Sequence, residues 1–225
     1  MSEPQEAATR AVLFDLDGTL IDSAPDLGGA ANRMRQRRGL APLPLEVYRH
    51  LAGAGARGML KIGFGLGPDN AAFDQLKQEF FDEYEQKLCQ DTMVFEGITE
   101  LVKMIKDAGM AWGIVTNKME RFTLPLLELM PWLSRADAVV CGDTTAHPKP
   151  HPEPLYEACR RLGIRSDQAI YVGDDERDIL AGKAAGMPTV AACYGYLGEG
   201  HTGTNWGADH VVHEVGALAQ LLKVA

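Results

Sequence analysis

Short apolar stretches that alternate with helix-like segments dominate the hydrophobic pattern of this 225-residue chain. Each stretch is bounded by Gly, Asp or Thr, which is typical of buried parallel strands. The five predicted strands are Ala11–Phe14, Trp112–Val115, Ala138–Cys141, Ala169–Val172 and Thr189–Cys193. The predicted helices among them are Ile98–Ala108, Phe122–Met130, Pro154–Leu162 and Asp178–Ala185. This alternation predicts an α/β class fold, doubly wound around a mainly parallel sheet.

One long segment after the first strand breaks the alternation. From about Asp22 to Asp91 the sequence contains no convincing strand. Its predicted helices are Asp26–Arg38, Leu45–His50, Arg57–Phe64 and Ala72–Leu88, and glycine-rich turns separate them. We interpret residues 22–93 as an inserted helical cap domain, called the cap below. Residues 1–21 and 94–225 would then form the α/β core domain.

The composition is that of a soluble globular protein, with 46% hydrophobic and 24% charged residues. The net charge is −9, and no basic stripe is visible, which argues against a nucleic-acid partner. The cluster Arg33, Arg35, Arg37 and Arg38 falls in a predicted helix and is interpreted as its solvated face. The acidic excess does not exclude an anionic substrate, because a bound cation can invert the local field.

The absence of recognisable targeting signals and the pattern of cysteines favour a cytoplasmic protein. No apolar run approaches the length of a membrane span, so no membrane partner is expected. The stretch Met1–Arg10 lacks the hydrophobic region of a secretory signal. The four cysteines are widely spaced and form no C-x-x-C pair, which favours reduced thiols. The sequence does not indicate an oligomeric state.

Candidate chemistry lies directly after the predicted strands or in the loop that follows the third of them. Ligands of open α/β sheets bind at the carboxyl ends of the strands, so these residues should converge on one crevice. The polar residues at these positions are Asp15 and Asp17, then Thr116, Asn117 and Lys118, then His147, Lys149 and His151, and finally Asp174, Asp175 and Asp178. We interpret the two histidines, which prolines surround, as parts of a rigid loop.

Paired carboxylates indicate a cation site. Asp15 and Asp17 are two residues apart on extended chain, so both point to the same side and repel unless a cation or proton intervenes. Asp174 and Asp178 are four apart across a strand-to-helix turn. Carboxylates without a Cys or His partner at ligand spacing favour Mg²⁺ over zinc. For Asp178, in a first helical turn, a capping role is the alternative. Gly18 would permit the tight turn beside them.

The order of these motifs resembles the haloacid dehalogenase superfamily over nearly the whole chain. Asp15-Leu16-Asp17-Gly18-Thr19-Leu20 is similar to its first motif, Thr116 to its second and Lys149-Pro150 to its third. Gly173-Asp174-Asp175-Glu176-Arg177-Asp178 is similar to its fourth. The cap falls where this superfamily carries a helical insertion. The resemblance implies an α/β core of the same kind and, because Asp17 is present, a phosphatase rather than a dehalogenase.

The resemblance also implies roles for single residues. Asp15 would be the nucleophile that forms an aspartyl-phosphate, and Asp17 the general acid and base. Thr116, the Asn117 amide and the Gly18 turn would bind phosphoryl oxygens, while Lys149 would balance negative charge. Mg²⁺ would bind Asp15, the carbonyl of Asp17 and Asp174. Asp175 or Asp178 would complete the Mg²⁺ site, and we assign this role to Asp178.

Substrate identity is predicted from finer resemblances. Thr116-Asn117-Lys118, the run from Lys149 to Pro154 and Tyr194-Gly195-Tyr196 resemble phosphoglycolate phosphatases. Arg121-Phe122 and the run from Asn205 to Asp209 are similar to phosphatases of N-acetylmuramic acid 6-phosphate, in cell-wall recycling. Both substrates are small phosphomonoesters with a carboxylate, and Arg57 of the cap is the predicted carboxylate ligand. A sugar-phosphate mutase and a non-catalytic binding protein are the remaining alternatives.

Overall fold

Six parallel strands form the central sheet of the protein, which a computed structural model describes at residues 9–198, 200 and 202–224. Residues 1–8 of the Met1–Arg10 stretch therefore lie outside the described part. The strands are β1 (Ala11–Phe14), β4 (Ala111–Val115), β5 (Ala138–Val140), β6 (Ala169–Gly173), β7 (Thr189–Ala192) and β8 (His210–Val212). They are arranged in the order β5-β4-β1-β6-β7-β8. This arrangement confirms the predicted doubly wound α/β class.

The side chains of each strand alternate between the two faces of the sheet, and helices pack against both faces. Val12 and Phe14 of β1 belong to a core that includes residues of α5 (Ile98–Asp107) and α9 (Val215–Leu221). Leu13 points the other way and belongs to a second core with α7 (Glu153–Leu162) and α8 (Glu176–Ala184). Helix α6 (Glu120–Leu129) follows β4. β1 lies between β4 and β6, so its carboxyl end opens at the middle of the sheet.

The segment predicted as the cap consists of helices. They are α1 (Ala24–Arg37), α2 (Glu46–Arg49), α3 (Gly55–Phe64) and α4 (Phe73–Gln86). Two short antiparallel strands, β2 (Ile21–Asp22) and β3 (Met93–Val94), pair where the chain enters and leaves this segment. The predicted boundaries at residues 21/22 and 93/94 fall within this strand pair.

Differences from the predicted elements lie in short or terminal pieces. β2 and β3 have two residues each, and β8 has three, of which two are exposed. None of them is long enough to show the alternation of apolar and polar residues that predicts a strand. Helix α1 begins at Ala24, earlier than predicted, because Pro25 suits a first helical turn. The predicted glycine turn before Arg57 is a 3₁₀-helix, Ala52–Ala54. In the described residues, no helix combines the length and apolar character needed to span a membrane.

Candidate active site

The carboxyl ends of β1, β4 and β6 meet at a cavity of about 360 Å³ between the core and the cap segment. Nearly all predicted site residues line this cavity: Asp15, Asp17, Arg57, Thr116, Asn117, Lys149, Asp174 and Asp178. Gly18 lies next to them against Asp174. His147 and His151 are not among its lining residues, and His147 instead contacts Glu153 on the surface, 2.9 Å from Nδ1 to Oε2. The carboxyl ends of the parallel strands therefore bring residues that are far apart in sequence together in one site.

Lys149 is the buried cation at the centre of the site. Its Nζ lies 2.8 Å from Oδ1 of Asp15 and 2.6 Å from Oδ1 of Asp178, and it also donates to the Tyr171 hydroxyl and the Val115 carbonyl. Burial alone lowers the pKa of Lys149, but the carboxylates of Asp15 and Asp178 more than offset this and raise it. The ammonium therefore stays charged.

Asp174 is held rigidly on the other side of Asp15. Its Oδ1 accepts from the Thr19 hydroxyl at 2.9 Å, and its Oδ2 accepts from the backbone N–H of Tyr196 at 2.8 Å. Gly18 has a φ of +90°, and a Cβ there would lie 2.1 Å from Oδ2 of Asp174. Only glycine therefore fits this turn.

The acidic residues fit a hard divalent cation. Asp15, Asp174 and Asp178 offer carboxylate oxygens that lie within 4.8 Å of one another. Burial, reinforced by the neighbouring carboxylates, raises the pKa of Asp174 well above its usual value. Burial also raises the pKa of Asp15 to about 6, although Lys149 opposes this. Desolvated carboxylates that repel one another form a donor set that Mg²⁺ would suit.

Asp17 occupies a different environment from Asp15. Lys118 Nζ lies 2.9 Å from each of its carboxylate oxygens, and the Ser23 hydroxyl donates to Oδ1. Burial lowers the pKa of Lys118, but the charges and hydrogen bonds of Asp17 and Tyr84 together more than offset this and raise it. Asp15 and Asp17 are thus each paired with their own buried lysine.

The residues after β4 position the neighbouring loop. The Asn117 side chain donates to the Lys149 carbonyl and accepts from the Lys149 N–H, both at 2.9 Å. These two hydrogen bonds fix the loop that carries Lys149. One of the two side-chain N–H groups is thus occupied, and the backbone N–H of Asn117 is a further donor that a ligand could use. The Thr116 hydroxyl accepts from the Lys118 N–H at 3.1 Å and keeps its own proton for another partner.

Contacts on two sides hold the cap segment over the cavity. Arg177 binds Asp175 and donates from Nη2 to the Gly53 carbonyl at 2.8 Å. Across the cavity, Phe122 of α6 packs against Tyr84 of α4, with ring centroids 5.3 Å apart. Arg57 is exposed and lines the cavity from the cap side. A ligand would therefore be covered by the cap segment.

Several residues of this site received no role from the sequence. Lys118 follows a strand, so its position was a usable signal, but its pairing with Asp17 depends on the fold. Tyr171 is hidden within β6. Ser23 contacts the nearby Asp17, and Arg177 contacts the distant Gly53 of the cap segment. Tyr84 belongs to an aromatic stripe on α4, which predicts packing rather than a ligand contact.

The sequence of the chain matches a known family and characterised relatives. The family model described as haloacid dehalogenase-like hydrolase matches residues 12–192. The chain is 40% identical over 216 residues to the N-acetylmuramic acid 6-phosphate phosphatase of Pseudomonas aeruginosa, and the alignment covers 96% of both chains. It is 44% identical over 205 residues to the phosphoglycolate phosphatase of Xanthomonas campestris pv. campestris, which covers 91% of this chain and 92% of the relative.

The fold has close counterparts among solved structures. The crystal structure of a predicted phosphoglycolate phosphatase from Haemophilus somnus superposes with a TM-score of 0.82. It shares 24% sequence identity and covers 95% of this chain and 97% of its own. At this identity the likeness concerns the fold.

Proposed function

The chain belongs to the haloacid dehalogenase-like hydrolases, and from that premise we propose that it is a magnesium-dependent phosphatase acting on a small, carboxylate-bearing phosphomonoester. One observation carries the proposal: Asp15 and Asp17 lie two residues apart but have different cationic partners, Lys149 and Lys118. A nucleophile must be ionised, which the Lys149 ammonium favours for Asp15, and a second carboxylate beside it is needed to carry a proton between the leaving oxygen and water.

In the first step, an oxygen of Asp15 attacks phosphorus and forms an aspartyl-phosphate as the bond to the ester oxygen breaks. Asp17 gives its proton to that leaving oxygen. The Thr116 hydroxyl and the Asn117 N–H would hold phosphoryl oxygens, and Lys149 would balance the charge that gathers between phosphate and nucleophile.

In the second step, a water attacks the phosphorus of the aspartyl-phosphate. Asp17, now ionised, accepts a proton from that water. The bond between Asp15 and phosphorus breaks, inorganic phosphate leaves and both aspartates return to their starting states. Closure of the cap would exclude bulk water during the first transfer.

A magnesium ion, when bound, would supply positive charge that offsets the repulsion between the carboxylates and the phosphoryl group. Asp15, Asp174 and the Asp17 carbonyl would hold it. Asp178 lies in the same carboxylate cluster, but its Oδ1 accepts from Lys149 and its Oδ2 from the Asp175 N–H. We therefore assign Asp178 a supporting place.

We propose phosphoglycolate as the first candidate substrate, because the relatives that match the chain include phosphoglycolate phosphatases. In this proposal residues 22–93 form a cap domain that provides selectivity, and Arg57 contacts an anionic group of the substrate. We propose a cytoplasmic location for the reaction, which the four free cysteines support.

A second candidate substrate is N-acetylmuramic acid 6-phosphate, the substrate of another relative. The observation in its favour is the size of the cavity, about 360 Å³, together with its aromatic wall of Phe80, Phe81 and Phe122. A two-carbon acid cannot cover that apolar surface, whereas a sugar ring can pack against it.

Phosphate release with Mg²⁺ from p-nitrophenyl phosphate, phosphoglycolate and N-acetylmuramic acid 6-phosphate tests the proposal. The proposed phosphatase releases inorganic phosphate from p-nitrophenyl phosphate and from at least one of the two natural candidates, and the rates rank those two. Conversion of a sugar phosphate into an isomer without phosphate release would indicate a mutase. If no phosphomonoester is turned over, the result would indicate a non-catalytic binding protein.

A further inference from the structure

We propose that Lys118 and Tyr84 together form the subsite for a substrate carboxylate that is separated from the phosphate ester oxygen by a single carbon. The inference rests on the proposed function and adds a specificity-determining pair to it. One member comes from the core, directly after β4, and the other from α4 of the cap segment. Both line the cavity above Asp17.

Lys118 has a donor to spare. An ammonium group carries three N–H donors, and two of them are accounted for by the two Asp17 oxygens at 2.9 Å. Its side chain is 7% exposed, so it reaches the cavity rather than bulk solvent. The third donor faces the Tyr84 hydroxyl, and it is the one that an anion entering the cavity would take.

Tyr84 supplies a second donor at the same place. Its side chain is buried, and its hydroxyl has no close hydrogen-bond acceptor within the described residues. Its polar neighbour is the Lys118 ammonium, which can only donate, so the hydroxyl proton remains available. Lys118 Nζ lies 5.0 Å from the centroid of the Tyr84 ring. Burial raises the pKa of Tyr84 to about 12, so the phenol stays neutral and able to donate. Buried hydroxyls normally have a partner, and a ligand oxygen in the cavity would be one.

The proposed reaction fixes where the leaving group must lie. Asp17 protonates the ester oxygen, so that oxygen must come within hydrogen-bond distance of Asp17. A carboxylate one carbon further on then falls beside the ammonium that already contacts Asp17. A phosphate of an α-hydroxy acid meets this condition, whereas a carboxylate remote from the phosphate does not. Lys118 would therefore link recognition of the substrate to the position of the acid.

Phosphonates of matched shape test this subsite without turnover, because their carbon–phosphorus bond replaces the ester bond. The first probe is 3-phosphonopropionate, in which a methylene replaces the ester oxygen of phosphoglycolate. The second is propylphosphonate, in which a methyl group replaces the carboxylate. Binding of both to the full-length protein with Mg²⁺ is measured by isothermal titration calorimetry for wild type, Tyr84→Phe, Lys118→Met and the control Tyr48→Phe. Tyr48 donates its hydroxyl to Asn32 inside the cap segment and does not line the cavity.

We expect wild type to bind 3-phosphonopropionate at least about tenfold more tightly than propylphosphonate, as for a hydrogen bond to a charged group. Tyr84→Phe should reduce that preference about tenfold, Lys118→Met should reduce it further, and Tyr48→Phe should retain it. Equal affinity of wild type for the two probes, failure of 3-phosphonopropionate to bind, or an unchanged preference in Tyr84→Phe would overturn the subsite. Hydrolysis of p-nitrophenyl phosphate by wild type separately reports whether the proposed function stands, since that substrate has no carboxylate.

Discussion

Lys149 and Asp178 form a buried ion pair, with 2.6 Å between Nζ and Oδ1 and each side chain 2% exposed. The desolvation of two charges offsets most of their attraction, so such a pair contributes little net stability. Its effect is to fix geometry. Oδ2 of Asp178 accepts from the Asp175 N–H at the start of α8, so the lysine is tied to a helix end. Asp178 therefore positions the cation that contacts Asp15.

Substituting Asp178 tests this positioning role against metal binding. We expect Asp178→Asn to lower kcat, because the Lys149 ammonium loses a charged partner and shifts away from Asp15. Mg²⁺ affinity, measured by calorimetry, should fall less than it does in Asp174→Asn, and breaking the pair should lower the free energy of unfolding by about 3 kcal/mol. A loss of Mg²⁺ affinity as large as that of Asp174→Asn would instead make Asp178 a direct ligand.

The sequence predicts the sheet and most of the site because both follow from local pattern. Asp15, Thr116, Lys149 and Asp174 each follow a buried apolar run, and parallel strands place such residues at one edge. The pairing of Lys118 with Asp17 could not be predicted, since it depends on which side chains the loops turn inward. The two-residue strands β2 and β3 carry no period and form only because the chain leaves and re-enters the core at one place.

Asp15→Asn should abolish turnover, because an amide oxygen is a poor nucleophile and forms no stable phosphoryl ester. The side chain keeps its shape, so the far-ultraviolet circular dichroism spectrum should match that of wild type. Phosphate release from p-nitrophenyl phosphate provides the rate. More than a few per cent of residual activity in a folded variant would refute the nucleophile assignment.

Asp17→Asn should lower the steady-state rate by about 10²–10⁴-fold, the usual contribution of general acid–base catalysis. Asp15 should still accept a phosphoryl group slowly from an activated ester such as p-nitrophenyl phosphate, whose leaving group needs little protonation. Rapid-quench measurement of covalently bound phosphate should show the intermediate accumulating. An unchanged steady-state rate would remove Asp17 from the mechanism.

Magnesium should be required for activity. Treatment with EDTA should abolish phosphate release, and added Mg²⁺ should restore it, because the clustered carboxylates otherwise repel the substrate. Asp174→Ala should lose activity or need far more Mg²⁺, while its circular dichroism spectrum remains that of a folded protein. Full activity after exhaustive EDTA treatment would contradict the metal assignment.

Arg57→Ala should distinguish recognition of the substrate from chemistry at phosphorus. The groups that hold the phosphoryl moiety are common to all phosphomonoesters, so they cannot select one. Arg57 lines the cavity from the cap side, where the rest of the substrate must lie. Loss of a charge-assisted contact is worth about 1.5–3 kcal/mol, so kcat/KM for the best carboxylate-bearing substrate should fall about ten- to hundredfold. The fall for p-nitrophenyl phosphate, which has no carboxylate, should be much smaller.

A matched control for Arg57 is Arg38→Ala, since Arg38 is an arginine of the cap segment that pairs with Glu79 away from the cavity. That variant should leave kcat/KM unchanged for both substrates, because a surface ion pair contributes little. Equal losses on both substrates in Arg57→Ala would make Arg57 structural. No loss on either would mean that Arg57 is a surface arginine of the cap segment and that other residues of the cavity select the substrate.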